Sequence, residues 1–238
     1  MERVLLNKVR YLVEQHGYDI TVVTTDQKGR APFYPFPEKV KMVDLGINYE
    51  DNNDKGVFAK TISFLSKRRL HRKRLTELLE KEKADVVVSL YPSESSFIPY
   101  IKDGSKKVLE LHFNKFFRLQ YNRTGLMGLI DRLRTWQDER MVRKFDQFVV
   151  LSQEDKGYWG KMPNLCVIPN AALRISDSYA EGDKKRVIAV GRLDYQKGFD
   201  RLIEAWRIVQ QNKAYADWQL DIFGQGEWKE MLQARIDS

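Results

Sequence analysis

The sequence of 238 residues contains one cysteine, three histidines and no long hydrophobic run. The single thiol, Cys166, excludes an intrachain disulfide and a zinc or iron–sulfur site built from cysteines. We therefore expect a protein of a reducing compartment. No stretch approaches the roughly 18 apolar residues of a membrane-spanning helix, and the N-terminus lacks the pattern of a signal peptide. The expected location is cytoplasmic, either free or peripheral at the inner face of the plasma membrane.

Several motifs of catalysis and ligand binding are also absent. The sequence has no Walker phosphate loop, no nucleophile elbow and no GxGxxG series. The acidic stretch at 50–54 lies among turn formers, and no predicted strand ends in the Asp-X-Asp pattern that holds a divalent metal. We expect a reaction with no metal ligand and no cofactor.

Charge and length set further limits. Lys and Arg number 41 against 33 Asp and Glu, which gives a formal net charge of +8. This excess favours anionic partners such as nucleotide phosphates, nucleic acid or acidic lipid headgroups. With 42% hydrophobic residues the chain can form a core. Its 238 residues are many for one ordinary domain of about 150 residues and few for two.

Hydrophobic periodicity predicts strands that alternate with helices. The order predicts an α/β protein with a doubly wound, mostly parallel sheet domain, followed by the first part of a second Rossmann-like domain. In the helix at 57–83 we expect Phe58, Ile62 and Leu65 to face inward at first, and Leu75, Leu78 and Leu79 later. Predicted strands cover 19–25, 40–45, 85–90, 107–111, 147–151, 165–168, 186–190 and 218–223, and predicted helices cover 2–17, 57–83, 95–102, 125–145, 154–159, 199–211 and 227–236.

A stretch rich in turn formers separates the two predicted domains. Residues 169–185 show little periodicity, so a linker is expected there. The predicted boundaries are 1–172 for the first domain, 173–185 for the linker and 186–238 for the second domain.

The most informative segment joins a predicted strand to a predicted helix at 190–206. Gly191 permits a sharp turn after the strand, and Arg192 and Lys197 then lie at the C-terminal edge of the sheet, close to the helix N-terminus near Gly198. Parallel sheets bind phosphate ligands at this edge, and an arginine with a lysine suits a diphosphate. Two solvated cations in an ordinary turn explain the spacing equally well.

Residues 191–198, together with 202–206 and 222–227, resemble the C-terminal domain of the retaining glycosyltransferases of family 4, which have the GT-B architecture. Shorter segments at 2–7, 110–112 and 168–170 resemble other parts of that family. The resemblance implies that Arg192 and Lys197 bind the diphosphate of a nucleotide diphosphate sugar donor. It makes His112 a candidate catalytic residue that contacts the donor sugar, although a histidine satisfied at the sheet edge fits as well.

The implied reaction is transfer of a sugar to a glycan or lipid-linked acceptor with retention, in surface polysaccharide or lipopolysaccharide biosynthesis. Two alternatives stay open. One is another GT-B enzyme that uses nucleotide sugars, such as a nonhydrolysing epimerase. The other is a non-catalytic binding module for anionic lipid or a partner protein.

The densest positive run lies at 66–75. It is either a solvated helix face or a surface for an anionic membrane. No aromatic residue is interleaved in the run, so we do not expect nucleic acid as a partner. His16 and His71 are expected to be structural or solvated.

Three features depart from the family pattern. The first strand of the family, with its glycine-rich loop, has no match before Met1. The acidic motif that follows the second domain's early strands in the family has no match either. Ala171 stands where family members often have glycine. We therefore expect a fragment that does not complete a donor site by itself.

Overall fold

The computed structural model describes residues 2–52, 57–90, 94–119, 123–171, 182 and 184–237. The chain divides into two compact units, Met1–Leu173 and Arg174–Ser238. Most of the predicted linker at 173–185 lies outside the described residues. The helices are α1 (Glu2–His16), α2 (Val57–Glu82), α3 (Gly125–Val142), α4 (Gln153–Trp159), α5 (Phe199–Gln210) and α6 (Lys229–Asp237), and the strands are β1 (Thr21–Thr24), β2 (Lys41–Asp44), β3 (Val86–Ser89), β4 (Lys106–Glu110), β5 (Gln147–Val150), β6 (Leu165–Val167), β7 (Arg186–Val190) and β8 (Gln219–Phe223).

The strands of the first unit form parallel sheets. β1 pairs with β2, and a second sheet has the order β3-β4-β5-β6. Every pairing between described strands is parallel, which confirms the predicted α/β class. Parallel sheets usually have both faces covered by other elements. This is seen at β5, where Phe148 and Val150 are 0% exposed.

Local sequence signals account for the first helix. Leu6, Val9 and Val13 are its buried residues. The helix ends because Gly17 adopts a φ of +66°. Tyr18 N–H then bonds the carbonyl of Leu12 at 3.2 Å, and Gly17 N–H bonds that of Val13 at 3.2 Å. The Gly17 bond, which spans four residues, is that of an αL cap, and the two bonds satisfy carbonyls that the helix end would leave unpaired.

Helix α2 is oriented as predicted at Leu75 and Leu79 but not at Ile62 and Leu65, and the Phe58 side chain lies outside the described residues. His71, Leu75 and Leu79 follow an i, i+4 spacing and are 2%, 5% and 5% exposed. Ile62 lies nine residues before His71, which is half a turn away at about 100° per residue. Ile62 is therefore 56% exposed and Leu65 48% exposed, so the prediction that they face inward is wrong.

The buried His71 divides the basic run at 66–75. Its Nδ1 lies 3.1 Å from the Tyr49 hydroxyl, and its ring meets Phe97 edge-on at 5.1 Å. Burial lowers the pKa of His71. The run is therefore not cationic around its whole circumference, because one side of it is buried at His71.

Three of the run's cations bind loops of the first unit. Lys67 donates to the carbonyl of Asn48, Arg68 to the Ser96 hydroxyl at 2.8 Å, and Arg74 to the carbonyl of Gly46 at 3.1 Å. The side chains of Arg69, Arg72 and Lys73 are exposed.

The second unit is a small parallel βαβα unit. β7 and β8 pair in register from Arg186 opposite Gln219 to Val190 opposite Phe223. Its buried hydrophobic cluster comprises Leu193, Phe199, Ile203 and Leu232. Leu193 belongs to the loop after β7, so packing of α5 and α6 also fixes that loop.

Candidate functional site

The loop that follows β7 carries the two predicted phosphate-binding cations. Asp194 caps a single 3-10 turn at Tyr195–Lys197, because its carboxylate accepts from the backbone N–H of Lys197 at 3.2 Å. Gly198 ends this turn with a φ of +66° and opens α5. A residue with a side chain would be strained there, so the glycine sets the turn that leads into the helix.

A second loop, which follows β8, holds the first one in place. Gly191 N–H donates to the carbonyl of Phe223 at 3.0 Å, and Leu193 N–H donates to that of Gln225 at 2.9 Å. A Cβ atom on Gly224 would lie 1.9 Å from the carbonyl oxygen of Gly191. Glycine at 224 is therefore required for the close approach of the two backbones. The sequence resemblance included this segment, but periodicity gave no sign of its contact with the first loop.

The two cations differ in their contacts. The Arg192 side chain is 69% exposed, and its Nη2 lies 3.1 Å from Asp194 Oδ2 and donates to Gln196 Oε1 at 3.0 Å. Lys197 is exposed, and its ammonium has no hydrogen-bond partner among the residues that the structure describes. An exposed ion pair such as Arg192–Asp194 contributes at most about 1 kcal/mol, so an incoming phosphate can compete with it. The loop thus offers two cations beside the N-terminus of α5.

The predicted catalytic histidine belongs to the first unit and lies just beyond the C-terminal end of β4. His112 Nε2 is 3.2 Å from Glu110 Oε2, and the same oxygen accepts from Lys8 Nζ at 2.6 Å. The His112 side chain is 6% exposed and that of Glu110 is 12% exposed. Burial raises the pKa of the Glu110 carboxyl, but the hydrogen bonds from His112 and Lys8 outweigh it, and the pKa is lowered overall. Glu110 is therefore a carboxylate at neutral pH.

Sequence reasoning missed Lys8 in this cluster. Lys8 lies on α1 at i+3 from Leu5 and i−4 from Leu12, so it interrupts the apolar face of that helix. A lysine within an apolar stripe is the signal that could have found it, because a cation there needs an anionic partner from another element.

The structure therefore brings Arg192 and Lys197 onto one loop and places His112 in a separate cluster with Glu110 and Lys8. Within the described ranges, no helix combines the length and hydrophobicity needed to cross a bilayer. In the same part of the chain, no three His, Cys, Asp or Glu side chains come together as ligands for a metal ion. Independence from metal stays a prediction.

Two solved structures share this architecture. TarM matches with a TM-score of 0.54 and 17% identity over 70% of this chain and 33% of TarM. A mutant of S. aureus TarM in complex with fondaparinux, alpha-GlcNAc-glycerol and UDP matches with a TM-score of 0.50 and 17% identity, over 70% of this chain and 34% of that one. The chain thus has the fold of the GT-B glycosyltransferases, as the sequence predicted.

The family follows from the sequence itself. The model of Glycosyltransferase Family 4 matches residues 1–172, and that of Glycosyl transferases group 1 matches residues 174–238. The chain belongs to glycosyltransferase family 4. This membership confirms the predicted glycosyltransferase family.

Two curated relatives match along almost the whole chain. An uncharacterized glycosyltransferase of Haemophilus influenzae is 28% identical over 240 residues, which cover 98% of this chain and 60% of the relative. The amylovoran biosynthesis glycosyltransferase AmsD of Erwinia amylovora is 26% identical over 244 residues, which cover 94% of this chain and 58% of AmsD. The chain therefore spans somewhat more than half the length of these relatives.

Proposed function

We propose that the protein transfers a sugar from a nucleotide diphosphate sugar to a glycan or lipid-linked acceptor, with retention, in surface polysaccharide or lipopolysaccharide biosynthesis. Similarity to AmsD supports a role in polysaccharide biosynthesis. The UDP in the TarM complex supports a nucleotide sugar donor. The proposed reaction is that of the whole protein, because the chain covers only 60% and 58% of its two curated relatives.

The observation that carries the proposal is the basic loop at Gly191–Gly198. Departure of a nucleoside diphosphate builds negative charge on the phosphate oxygens next to the breaking bond. Arg192 can offer two parallel N–H donors to these oxygens, and Lys197 adds a point charge. The backbone bonds between the loops after β7 and β8 fix the loop beforehand, so little reorganisation is needed when charge develops.

We assign His112 to contact with the donor sugar. Glu110 accepts a hydrogen bond from Nε2, which leaves Nδ1 as the other ring nitrogen for a ligand. Lys8 and His112 share one carboxylate oxygen of Glu110, so Lys8 helps to hold the carboxylate that orients the His112 ring. The role of Glu110 and Lys8 is to position the histidine.

An anionic membrane surface is a further proposed partner of the run at 66–75. Arg69, Arg72 and Lys73 are the exposed cations that could meet lipid headgroups. With Lys67, Arg68 and Arg74 bonded to loops, this contribution is smaller than the sequence suggested.

Titration calorimetry with UDP, GDP and ADP tests the donor site. We expect one of these nucleotides to bind the chain through this loop, although less tightly than a complete donor site would bind it. Arg192→Ala or Lys197→Ala should weaken that binding by about tenfold to a hundredfold, the range of a charged hydrogen bond. Arg186→Ala is the matched control, because Arg186 lies at the opposite end of β7 and pairs with Asp221. Equal losses in all three variants, or no binding of any diphosphate, would contradict the proposed site.

A further inference from the structure

Helix α3 has its polarity reversed relative to an ordinary surface helix. Its buried residues are Asp131, Thr135 and Val142, two of which are polar. Leu126, Leu129, Leu133 and Trp136 are instead 73%, 53%, 51% and 48% exposed. A helix of a globular protein normally turns its apolar stripe toward the core, so this arrangement needs an explanation.

The exposed apolar residues form one continuous stripe. Leu126, Leu129, Leu133, Trp136 and Arg140 follow spacings of three, four, three and four residues, which place them on a single helix face. The guanidinium of Arg140 stacks on the Trp136 ring at 3.7 Å. The stripe thus runs along most of α3 and ends in an aromatic residue with a stacked cation.

Inward contacts fix the orientation of the helix. Asp131 accepts two hydrogen bonds from Arg123, at 2.8 and 2.9 Å. Thr135 donates to the carbonyl of Asp131 at 2.9 Å. Rotating the stripe inward would break this pair, in which Asp131 is 5% and Arg123 42% exposed, and would move Asp131 out of its buried position. The outward stripe is therefore a stable property of the fold.

The charges around the stripe have one sign. Asp138 pairs with Arg118, and Glu139 with Lys115 at 2.5 Å, so both acids are neutralised by cations from outside the helix. Arg132 and Arg134 flank the stripe on opposite sides, are exposed, and form no ion pair with another described residue. The surface is therefore apolar along its centre and cationic at its margins.

We propose that this face of α3 is a docking surface for an anionic lipid bilayer. Leucines and a tryptophan enter the boundary between headgroups and acyl chains, while the flanking arginines meet lipid phosphates. A second copy fits less well, because a twofold contact would bring the cationic margins of both copies together. The proposal goes beyond sugar transfer and does not depend on it. It also assigns the apolar anchor to α3, a different element from the basic run at 66–75.

Sedimentation of the full chain with lipid vesicles tests the proposal. We expect binding to vesicles of phosphatidylcholine with phosphatidylglycerol, and much weaker binding to phosphatidylcholine alone. The double substitution Leu129→Glu/Leu133→Glu should reduce vesicle affinity by about tenfold or more, since it removes two apolar contacts and adds repulsion. Ile208→Glu/Val209→Glu on α5 is the matched control, at side chains that are 68% and 38% exposed, and should have a smaller effect.

Tryptophan emission gives an independent measurement. The spectrum should shift to shorter wavelength on vesicle binding, and Trp136→Phe should remove most of that shift although the other four of the five tryptophans stay. Binding that is absent, or unchanged by the α3 substitutions, would overturn the proposal. A dimer that the same substitutions dissociate without changing vesicle binding would identify the face as a self-association surface instead. Nucleotide binding by the α3 variants should stay at the level of the unmodified chain.

Discussion

At the scale of single residues, Glu110 is the informative group of the first unit. Its largely buried carboxylate contacts both the Lys8 ammonium and the His112 imidazole. A carboxylate that accepts from one ring nitrogen selects the tautomer of a neutral histidine. Glu110 and Lys8 are therefore proposed as positioning residues, which act on a ligand only through His112.

This proposal predicts the tautomer of His112. Long-range ¹H–¹⁵N spectra of the neutral imidazole should show the Nε2–H form. Glu110→Gln should produce a mixture of tautomers, because an amide can both donate and accept. Glu154→Gln, an exposed change at the side chain that accepts from the Tyr158 hydroxyl, should leave the His112 signals unchanged. A predominant Nδ1–H form in the unmodified chain would refute the assignment.

At the scale of elements, the loops after β7 and β8 act as one structure. The sequence shows each as a strand followed by a helix, with glycines between them. What holds them together is a set of backbone bonds between residues more than 30 positions apart, such as Leu193 N–H to the carbonyl of Gln225. The position of Arg192 therefore depends on a segment that has no charged contact with it among the described residues.

Gly224→Ala tests this dependence. The added methyl would meet the carbonyl oxygen of Gly191, and a backbone atom cannot move aside as a flexible side chain can. We expect a loss of about 1–3 kcal/mol in the free energy of unfolding, measured by urea denaturation, together with weaker nucleotide binding. Gly157→Ala is the control, because a Cβ there meets nothing within 4 Å and lies in α4. The control should be neutral or slightly stabilising. Equal stability of the two variants would show that the loops do not require the glycine.

The order of strands and helices could be predicted from sequence, because apolar periodicity is local. The predicted short helix at 95–102 is only a 3-10 turn at Ile98–Tyr100. Pro99 lies in that turn and has no N–H with which to extend it. The orientation of the first half of α2 could not be predicted, since two faces of that helix carry large apolar residues. Packing of His71 against Tyr49 and Phe97, which are distant in sequence, determines which face is buried.

The candidate site was predictable only where its residues lie close together in the sequence. Arg192 and Lys197 lie within one short loop, so motif and resemblance sufficed to name them. Lys8 is 102 positions from Glu110, and only the fold brings them to 2.6 Å. A contact between residues so far apart in sequence depends on how the fold brings α1 and β4 together. No local sequence pattern specifies this arrangement.

At the scale of the whole molecule, the net charge of +8 is distributed over surfaces with different uses. Arg192 and Lys197 face a proposed diphosphate. Arg132, Arg134 and Arg140 border the apolar stripe of α3, and part of the run at 66–75 holds loops in place. The proposed nucleotide site and the proposed lipid surface together use more of the basic residues than either does alone.

The central claim is that the loop at Gly191–Gly198 binds the diphosphate of a sugar nucleotide. Its most direct test is the change in backbone amide ¹H–¹⁵N shifts on titration with the nucleoside diphosphate that binds in calorimetry. We predict the largest shift changes at residues 191–198 and in the first turn of α5, and smaller shift changes at these residues in Arg192→Ala. Shifts confined to other segments, or the same shifts in Arg192→Ala, would contradict it.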